Sequence, residues 1–176
     1  MLAGREQTRL RHAPDEDPDR DLPVRQSSAA WPGTTEGMLP SAFLKAVDGE
    51  VRSYYKAKGE QINGHLRSRI SQFWFGTDRS IHYEVWIHER TLQLEIGLHM
   101  ESTQERNRAI YDRLGHDLLL IKAALGQSMW LEEWDRGWTR IYQTEPLWPL
   151  DNYRVRATRD RIMELVEVLQ PMLAGL

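Results

Sequence analysis

Apolar residues recur at regular spacing from Leu39 to the end of the chain, and the period of the pattern changes along the way. Ser41 is a suitable N-cap for a first helix, and Gly59 and Asn63-Gly64 are suitable residues to end it. Between these positions apolar residues follow one another at three- and four-residue spacing, which is typical of a helix with one buried face. The residues on this face are Phe43, Leu44, Val47, Val51, Tyr54 and Tyr55.

Three strand-like segments follow the first helix, over residues 69–75, 81–88 and 91–100. In the second and third segments apolar and polar residues alternate, which predicts strands with one buried face. A turn at Glu89-Arg90 would pair these two strands so that Val85 lies opposite Leu94 and Glu84 lies opposite Glu95.

Helical spacing returns after residue 100. Ser102 and Glu105 have the spacing of a capping box in front of a long helix that Gly126 ends. The apolar stripe of this helix is Ala109 or Ile110, Leu114, Leu118, Ile121 and Leu125. Segments 129–134 and 138–144 then predict a hairpin around Asp135-Arg136-Gly137, and a last helix covers about 155–173.

The predicted element order is therefore α-βββ-α-ββ-α. Because each alternating strand supplies one apolar face, we expect an α+β fold with one antiparallel five-stranded sheet and helices packed mainly on one face. Residues 38–176 form a single domain in this interpretation.

Residues 1–37 have a different composition, with an acidic run from Asp15 to Asp21, several Ser and Thr, and few aliphatic residues. Such a segment cannot bury enough apolar surface to offset its ordering entropy, so we expect a disordered tail. The alternative is that Met38 is the true start and residues 1–37 are a mis-annotated extension.

Composition excludes several classes of protein. The net charge of −3 excludes a globally basic nucleic-acid binder. The sequence contains no cysteine, which excludes disulfide scaffolds, thiol nucleophiles and cysteine-based metal sites. No apolar segment has the length of a membrane span, and we expect a cytoplasmic protein.

Aromatic residues suggest where a partner binds. The three-residue turn of the second hairpin places Trp134 opposite Trp138, and it puts the aromatic side chains on the face away from the aliphatic residues. Tryptophan, tyrosine and arginine are enriched at binding hot spots. The candidate partner-binding residues on this open sheet face are Trp86, Trp130, Trp134, Trp138, Arg140 and Tyr142. The alternative is that loops, the Trp148 segment or the tail cover this face.

The same face also carries candidate metal ligands. The predicted Glu84–Glu95 pair is a like-charge pair that needs a proton, an arginine or a metal ion beside it. The candidate ligands are Glu84, Glu95, His82 and His99. The alternative is an exposed strand face whose charges pair with neighbouring arginines.

Arginine supplies 19 of the 23 basic residues, and four arginines lie close together at the start of the last helix. Together with the aromatic face they are candidates for nucleic-acid binding: Arg154, Arg156, Arg159 and Arg161. The alternative is that they form ion pairs with Asp160, Glu164 or the acidic tail. No phosphate-binding glycine loop or nucleophile motif is present, and we expect neither catalytic residues nor a cofactor.

Two resemblances bear on function. Residues 107–114, Ala124-Leu125-Gly126, residues 131–134 and Arg140-Ile141 resemble a bacterial domain of unknown function that is often attached to the C-terminal side of nuclease-like domains. This resemblance implies an accessory role near nucleic-acid or defence machinery and supplies no catalytic residues. The element order also resembles that of type III secretion chaperones, which are homodimers that bind extended segments of client proteins.

The sequence thus favours a non-enzymatic protein-interaction or accessory domain that is a homodimer or binds a protein partner through its aromatic face. Nucleic-acid binding is the alternative, and a divalent-metal-dependent hydrolase is the third interpretation.

Overall fold

The structure, a computed structural model, describes residues 37–174. The predicted tail lies outside the described residues except for Gly37, so it stays a prediction. The described helices are α1 (Pro40–Ala57), α2 (Gln104–His116), α3 (Leu118–Leu125) and α4 (Asn152–Leu173). The described strands are β1 (Asn63–Leu66), β2 (Ile70–Trp74), β3 (Ile81–His88), β4 (Gln93–Met100), β5 (Trp130–Glu133) and β6 (Thr139–Pro146).

The strands form one antiparallel sheet in the order β1-β2-β3-β4-β6-β5. The α+β class and the single antiparallel sheet are confirmed, but the prediction of five strands is wrong, because the described sheet has six. The additional strand, β1, begins at Asn63-Gly64, which were predicted to end the first helix. Gly59, with φ +75°, ends that helix earlier and leaves residues 63–66 free to pair with β2.

The hydrophobic core lies between one face of the sheet and the helices. Tyr83 and Val85 of β3 and Leu98 of β4 point into it, and so do Phe43 of α1 and Ile162 of α4. The predicted alternation of β3 and β4 is confirmed. The buried apolar residues on this face are odd-numbered in β3 and even-numbered in β4. The polar residues between them consequently lie on the opposite face of the sheet.

The predicted register of β3 and β4 is wrong by two residues. Ile87 lies opposite Leu94, and Glu84 lies opposite Gly97 rather than Glu95. The connection comprises residues 89–92 and includes Leu92 at φ +52°, whereas a two-residue turn would need positive φ at Glu89 and Arg90, which suits neither residue. The two carboxylates are therefore not a directly opposed pair.

The long helix predicted up to Gly126 is two helices. Asp117 has φ −96° and ψ 9°, ends α2 and begins α3. The predicted capping box is wrong, since Thr103 rather than Ser102 is the N-cap and accepts a hydrogen bond from the Arg106 N–H at 3.4 Å. Ser102 and Glu105 therefore do not occupy the N-cap and N3 positions of a capping box. The apolar stripe itself is confirmed at Ile110, Leu114, Ile121 and Leu125, which are buried.

Two other helix starts differ from the prediction. Leu39 rather than Ser41 precedes α1, and Pro40 occupies its first turn, where a missing N–H costs nothing. Helix α4 begins at Asn152 rather than near Val155, because the Asp151 side chain accepts a hydrogen bond from the Arg154 N–H at 2.7 Å.

The second hairpin has the predicted register. Trp130 lies opposite Tyr142 and Glu132 opposite Arg140. The Trp134 N–H donates to the Trp138 carbonyl at 2.6 Å, so the connection is the expected three residues. Within the described residues no helix combines the length and the apolar character needed to cross a membrane.

Candidate functional site

A buried polar network lies on the sheet face opposite the helices. We use this name for Gln72, His82, Glu84, Glu95, His99 and Arg140. The side chains of Glu84, Glu95 and His99 are each at most 4% exposed. An exposed strand face, one of the two interpretations of these charges, is therefore wrong for the centre of the sheet. The arginine pairing that belonged to this interpretation is confirmed for Glu95, which Arg140 contacts at 2.9 Å.

His99 lies between the two glutamates. Its Nε2 is 3.0 Å from Glu95 Oε1, and its Nδ1 is 3.8 Å from Glu84 Oε1. Burial by itself lowers the pKa of His99, but the charge of Glu84 and the hydrogen bond with Glu95 outweigh burial and raise that pKa. The two carboxylates thus favour the protonated form of the ring that lies between them.

Both carboxylates stay ionised in spite of their burial. Burial raises the pKa of Glu84, but the charge of His99 and the Gln72 amide, which donates to Glu84 Oε2 at 2.7 Å, bring that pKa below its ordinary value. Burial also raises the pKa of Glu95, yet hydrogen bonds from His88 and His99 lower it to about 2. Two buried negative charges are thus held in place by donors and by cations.

Arg140 supplies a permanent cation beside Glu95. Its Nη1 donates to both oxygens of Glu95 at 2.9 Å, and its Nε donates to Glu132 Oε1 at 2.8 Å. Its guanidinium carbon lies 4.1 Å from the ring centroid of Tyr142 and 4.6 Å from that of Trp134. Arg140 therefore joins the polar network to the aromatic residues that surround it.

These aromatic residues form a second group on the same face, the aromatic cluster, defined as Trp86, Trp134, Trp138 and Tyr142. The Trp134 ring lies 5.7 Å from Trp86 and 6.3 Å from Trp138, and it packs edge-on against His99 at 6.0 Å. All four members are half-buried. The structure thus brings five of the six predicted partner-binding residues together with the metal candidates.

Trp130 differs from the other five predicted partner-binding residues, because it is 60% exposed. It lies on β5, at the edge of the sheet, and Lys122 Nζ of α3 is 5.2 Å from its ring centroid. Its large apolar surface faces solvent beside a helix rather than the polar network.

The four arginines near the start of α4 do not form a free cationic patch. Three of them pair with carboxylates of the same chain, and Arg156 is exposed. The pairs are Arg154–Glu145 at 2.9 Å, Arg159–Glu50 at 2.8 Å and Arg161–Glu164 at 2.8 Å. The interpretation of these residues as members of ion pairs is confirmed for Arg161 with Glu164 and for Arg159 with Asp160, at 2.7 Å.

One residue of this face was missed by the sequence analysis. Glu101 follows β4 directly, and one of its oxygens, one nitrogen of His82 and one nitrogen of His99 all lie within 4.8 Å of one another. The signal was present in the sequence, since Glu101 continues the alternation of Glu95 and His99 by one more step. Glu101 is half-buried, whereas both histidines are buried.

Comparison of the chain with protein-family models, curated proteins and solved structures found no match. The two resemblances noted in the sequence therefore stay predictions.

Proposed function

We propose that this protein is a non-enzymatic interaction domain that forms a homodimer through the edge of its sheet at β5. The observation that carries the proposal is a group of exposed apolar side chains on neighbouring elements. Leu119 is 83% exposed, Leu120 is 68% exposed and Trp130 is 60% exposed. Large apolar groups gathered on a surface favour burial against a partner.

Two of the three side chains are linked through Lys122. Leu119 lies one helical turn before Lys122, so the two share a face of α3. Lys122 Nζ lies 5.2 Å from the ring centroid of Trp130 on β5. Leu119 of α3 and Trp130 of β5 therefore lie near the same lysine beside the sheet edge, and Leu120 is exposed at the next position of α3.

A second copy of the chain is the partner that this edge favours. Among the described strands, β5 pairs with β6 alone, so its other side offers unpaired N–H and carbonyl groups. Two copies related by a two-fold axis bring their edge strands together in antiparallel orientation. Trp130 and the leucines of one protomer would then cover those of its partner.

The proposal reduces the predicted partner-binding set to its exposed member. Trp130 contacts the partner. The other five residues form the half-buried sheet face next to it: Trp86, Trp134, Trp138, Arg140 and Tyr142. Nucleic-acid binding is less favoured, because the ion pairs of Arg154, Arg159 and Arg161 already engage their guanidinium groups.

Sedimentation equilibrium over a range of protein concentrations tests the dimer. We expect the wild-type protein to approach twice the chain mass of 20.6 kDa. The triple variant Leu119→Ser, Leu120→Ser, Trp130→Ser should sediment as a monomer, because it removes the apolar surface at the edge. Tyr153→Ser is the matched control, since Tyr153 is 74% exposed on α4, and it should leave the dimer intact. A wild-type monomer at every concentration, or a triple variant that still dimerises, contradicts the proposal.

A further inference from the structure

The start of β3 and the end of β4 place three metal-ligating side chains on one face of the sheet. His82 lies directly opposite His99 in the register of these strands, and their rings stack with centroids 5.8 Å apart. Glu101 is two residues after His99, so it extends the same face of the chain. One ligand atom from each residue lies within 4.8 Å of the other two.

Both imidazoles are oriented by groups that metal-binding histidines typically use. His82 Nδ1 lies 2.9 Å from the Arg79 carbonyl, which can only accept, so the proton of a neutral ring is on Nδ1 and Nε2 keeps a lone pair. His99 Nε2 is held by the Glu95 carboxylate at 3.0 Å, which leaves Nδ1 as its second nitrogen. A carbonyl or carboxylate on one ring nitrogen fixes the other nitrogen for a metal ion.

Negative charge collects at the same place. Glu84 Oε2 is 3.3 Å from His82 Nε2, and Glu84 Oε1 is 3.8 Å from His99 Nδ1. Glu84 therefore faces the second nitrogen of each ring. The Gln72 amide nitrogen also lies 3.0 Å from His82 Nε2, so an ion would displace that contact. Glu95, in contrast, is occupied by Arg140 and His88, so it serves as an orienting group rather than as a ligand.

We propose that His82, His99 and Glu101 bind a divalent transition-metal ion, with Glu84 as the neighbouring carboxylate. Two nitrogens and one oxygen are a donor set that suits Zn²⁺, which takes tetrahedral coordination at about 2.0–2.2 Å. Tetrahedral ligand atoms at that radius are about 3.4 Å apart, so the three ligands close in on the ion when it binds. Glu101 is half-buried, so it is the least enclosed of the three ligands.

This site differs from the one that the sequence predicted. The sequence favoured Glu84 and Glu95 as a directly opposed pair, and the register separates them. The two histidines remain, but Glu101 replaces Glu95 as the carboxylate ligand. The site is also independent of the proposed dimer, since it lies on β3 and β4 in the middle of the sheet rather than at β5.

The test is titration of the metal-free full-length protein with Zn²⁺ by calorimetry and with Co²⁺ by visible absorption. We expect one Zn²⁺ per chain, and Co²⁺ bands whose intensity indicates four- or five-coordination. Glu101→Gln keeps the size of the side chain while removing the charged ligand, and it should weaken Zn²⁺ binding at least about tenfold. Its control is Glu105→Gln, an exposed glutamate in the first turn of α2.

His82→Asn is the second variant, and His116→Asn is its control because the His116 side chain is 84% exposed. We expect His82→Asn to abolish the Co²⁺ bands and His116→Asn to leave them unchanged. Circular dichroism checks the fold of each variant, and Glu101→Gln decides the outcome if His82→Asn unfolds. The absence of Zn²⁺ binding by the wild-type protein overturns the proposal, and so does unchanged binding by Glu101→Gln.

Discussion

At the scale of single residues, the most consequential feature is the pairing of Arg140 with Glu95. The Glu95 side chain is 2% exposed and that of Arg140 is 13% exposed, so water contributes little to either charge. Removing one member of a buried ion pair leaves the other charge without that partner. This lowers the free energy of unfolding by more than the intact pair contributes to it.

We therefore expect Arg140→Ala to lower the free energy of unfolding by about 3–5 kcal/mol, measured by urea denaturation. Arg140→Lys should lower it by less, because it keeps the positive charge but loses the bidentate contact and the stacking on Tyr142. Arg108→Ala is the control: its side chain is 60% exposed and pairs with Asp112 and Glu133, so it should cost less than about 1 kcal/mol. Equal effects of Arg140→Ala and Arg108→Ala would contradict the account of the buried network.

The sequence predicted four members of this network as metal candidates and Arg140 as a partner-binding residue, but it did not predict Gln72 or the contacts among these residues. His82, Glu84, Glu95 and His99 were recognised from alternation, which fixes the face of a strand. Their neighbours depend on register and on side chains from other strands, such as Gln72 and Arg140, and a local pattern carries no information on those distances. Burial was not predictable either, since a polar strand face is ordinarily solvated.

At the scale of elements, the sequence predicted the register of a strand pair correctly where the turn between the two strands contains a glycine, and incorrectly where it does not. Asp135-Arg136-Gly137 ends in a glycine at φ +72°, which fixed the β5–β6 register that the sequence predicted. The β3–β4 turn contains no glycine, and its positive φ at Leu92 gave no signal in the sequence. β1 was missed because Asn63-Gly64-His65-Leu66 has no apolar alternation.

Gly97 shows how closely two of these strands approach. A Cβ at Gly97 would lie 2.6 Å from Tyr142 Cβ and 2.7 Å from the Ile141 carbonyl oxygen, so β4 and β6 have no room for a side chain there. Glycine inside a strand marks such an approach of backbones.

We expect Gly97→Ala to lower the free energy of unfolding by about 1–3 kcal/mol, because the strands must separate to admit the methyl group. Gly49→Ala is the control in helix α1, where an added Cβ meets nothing within 4 Å. It should raise the stability by up to about 1 kcal/mol, since alanine is the better helix former. Thermal or urea unfolding of the two variants measures this contrast, and destabilisation of the same size in both would refute it.

At the scale of the whole molecule, many charges of the described residues are paired within the chain. The net charge is −3, and Arg154, Arg159 and Arg161 pair with acidic residues. Binding to nucleic acid requires cations that displace counterions from phosphates, and paired guanidinium groups must first give up their own partners.

We therefore expect no change in the fluorescence anisotropy of labelled single- or double-stranded oligonucleotides when the protein is added at low salt. Binding that weakens steeply with added salt would contradict this expectation and favour an accessory role on nucleic acid. In that case Arg156→Ala, at the exposed arginine of the four, should reduce the salt dependence first.

The charge balance of the buried network also constrains how this sequence can diverge. Arg140 contributes a positive charge beside Glu95, and His99 lies 3.0 Å from Glu95 and 3.8 Å from Glu84. A lineage that loses Arg140 first leaves Glu95 without its guanidinium partner, and one that loses Glu95 first leaves Arg140 with Glu132 alone. Joint replacement by apolar residues costs less than either single loss. Positions 95 and 140 should therefore change together among descendants of this protein, because selection removes a single replacement before the second one occurs.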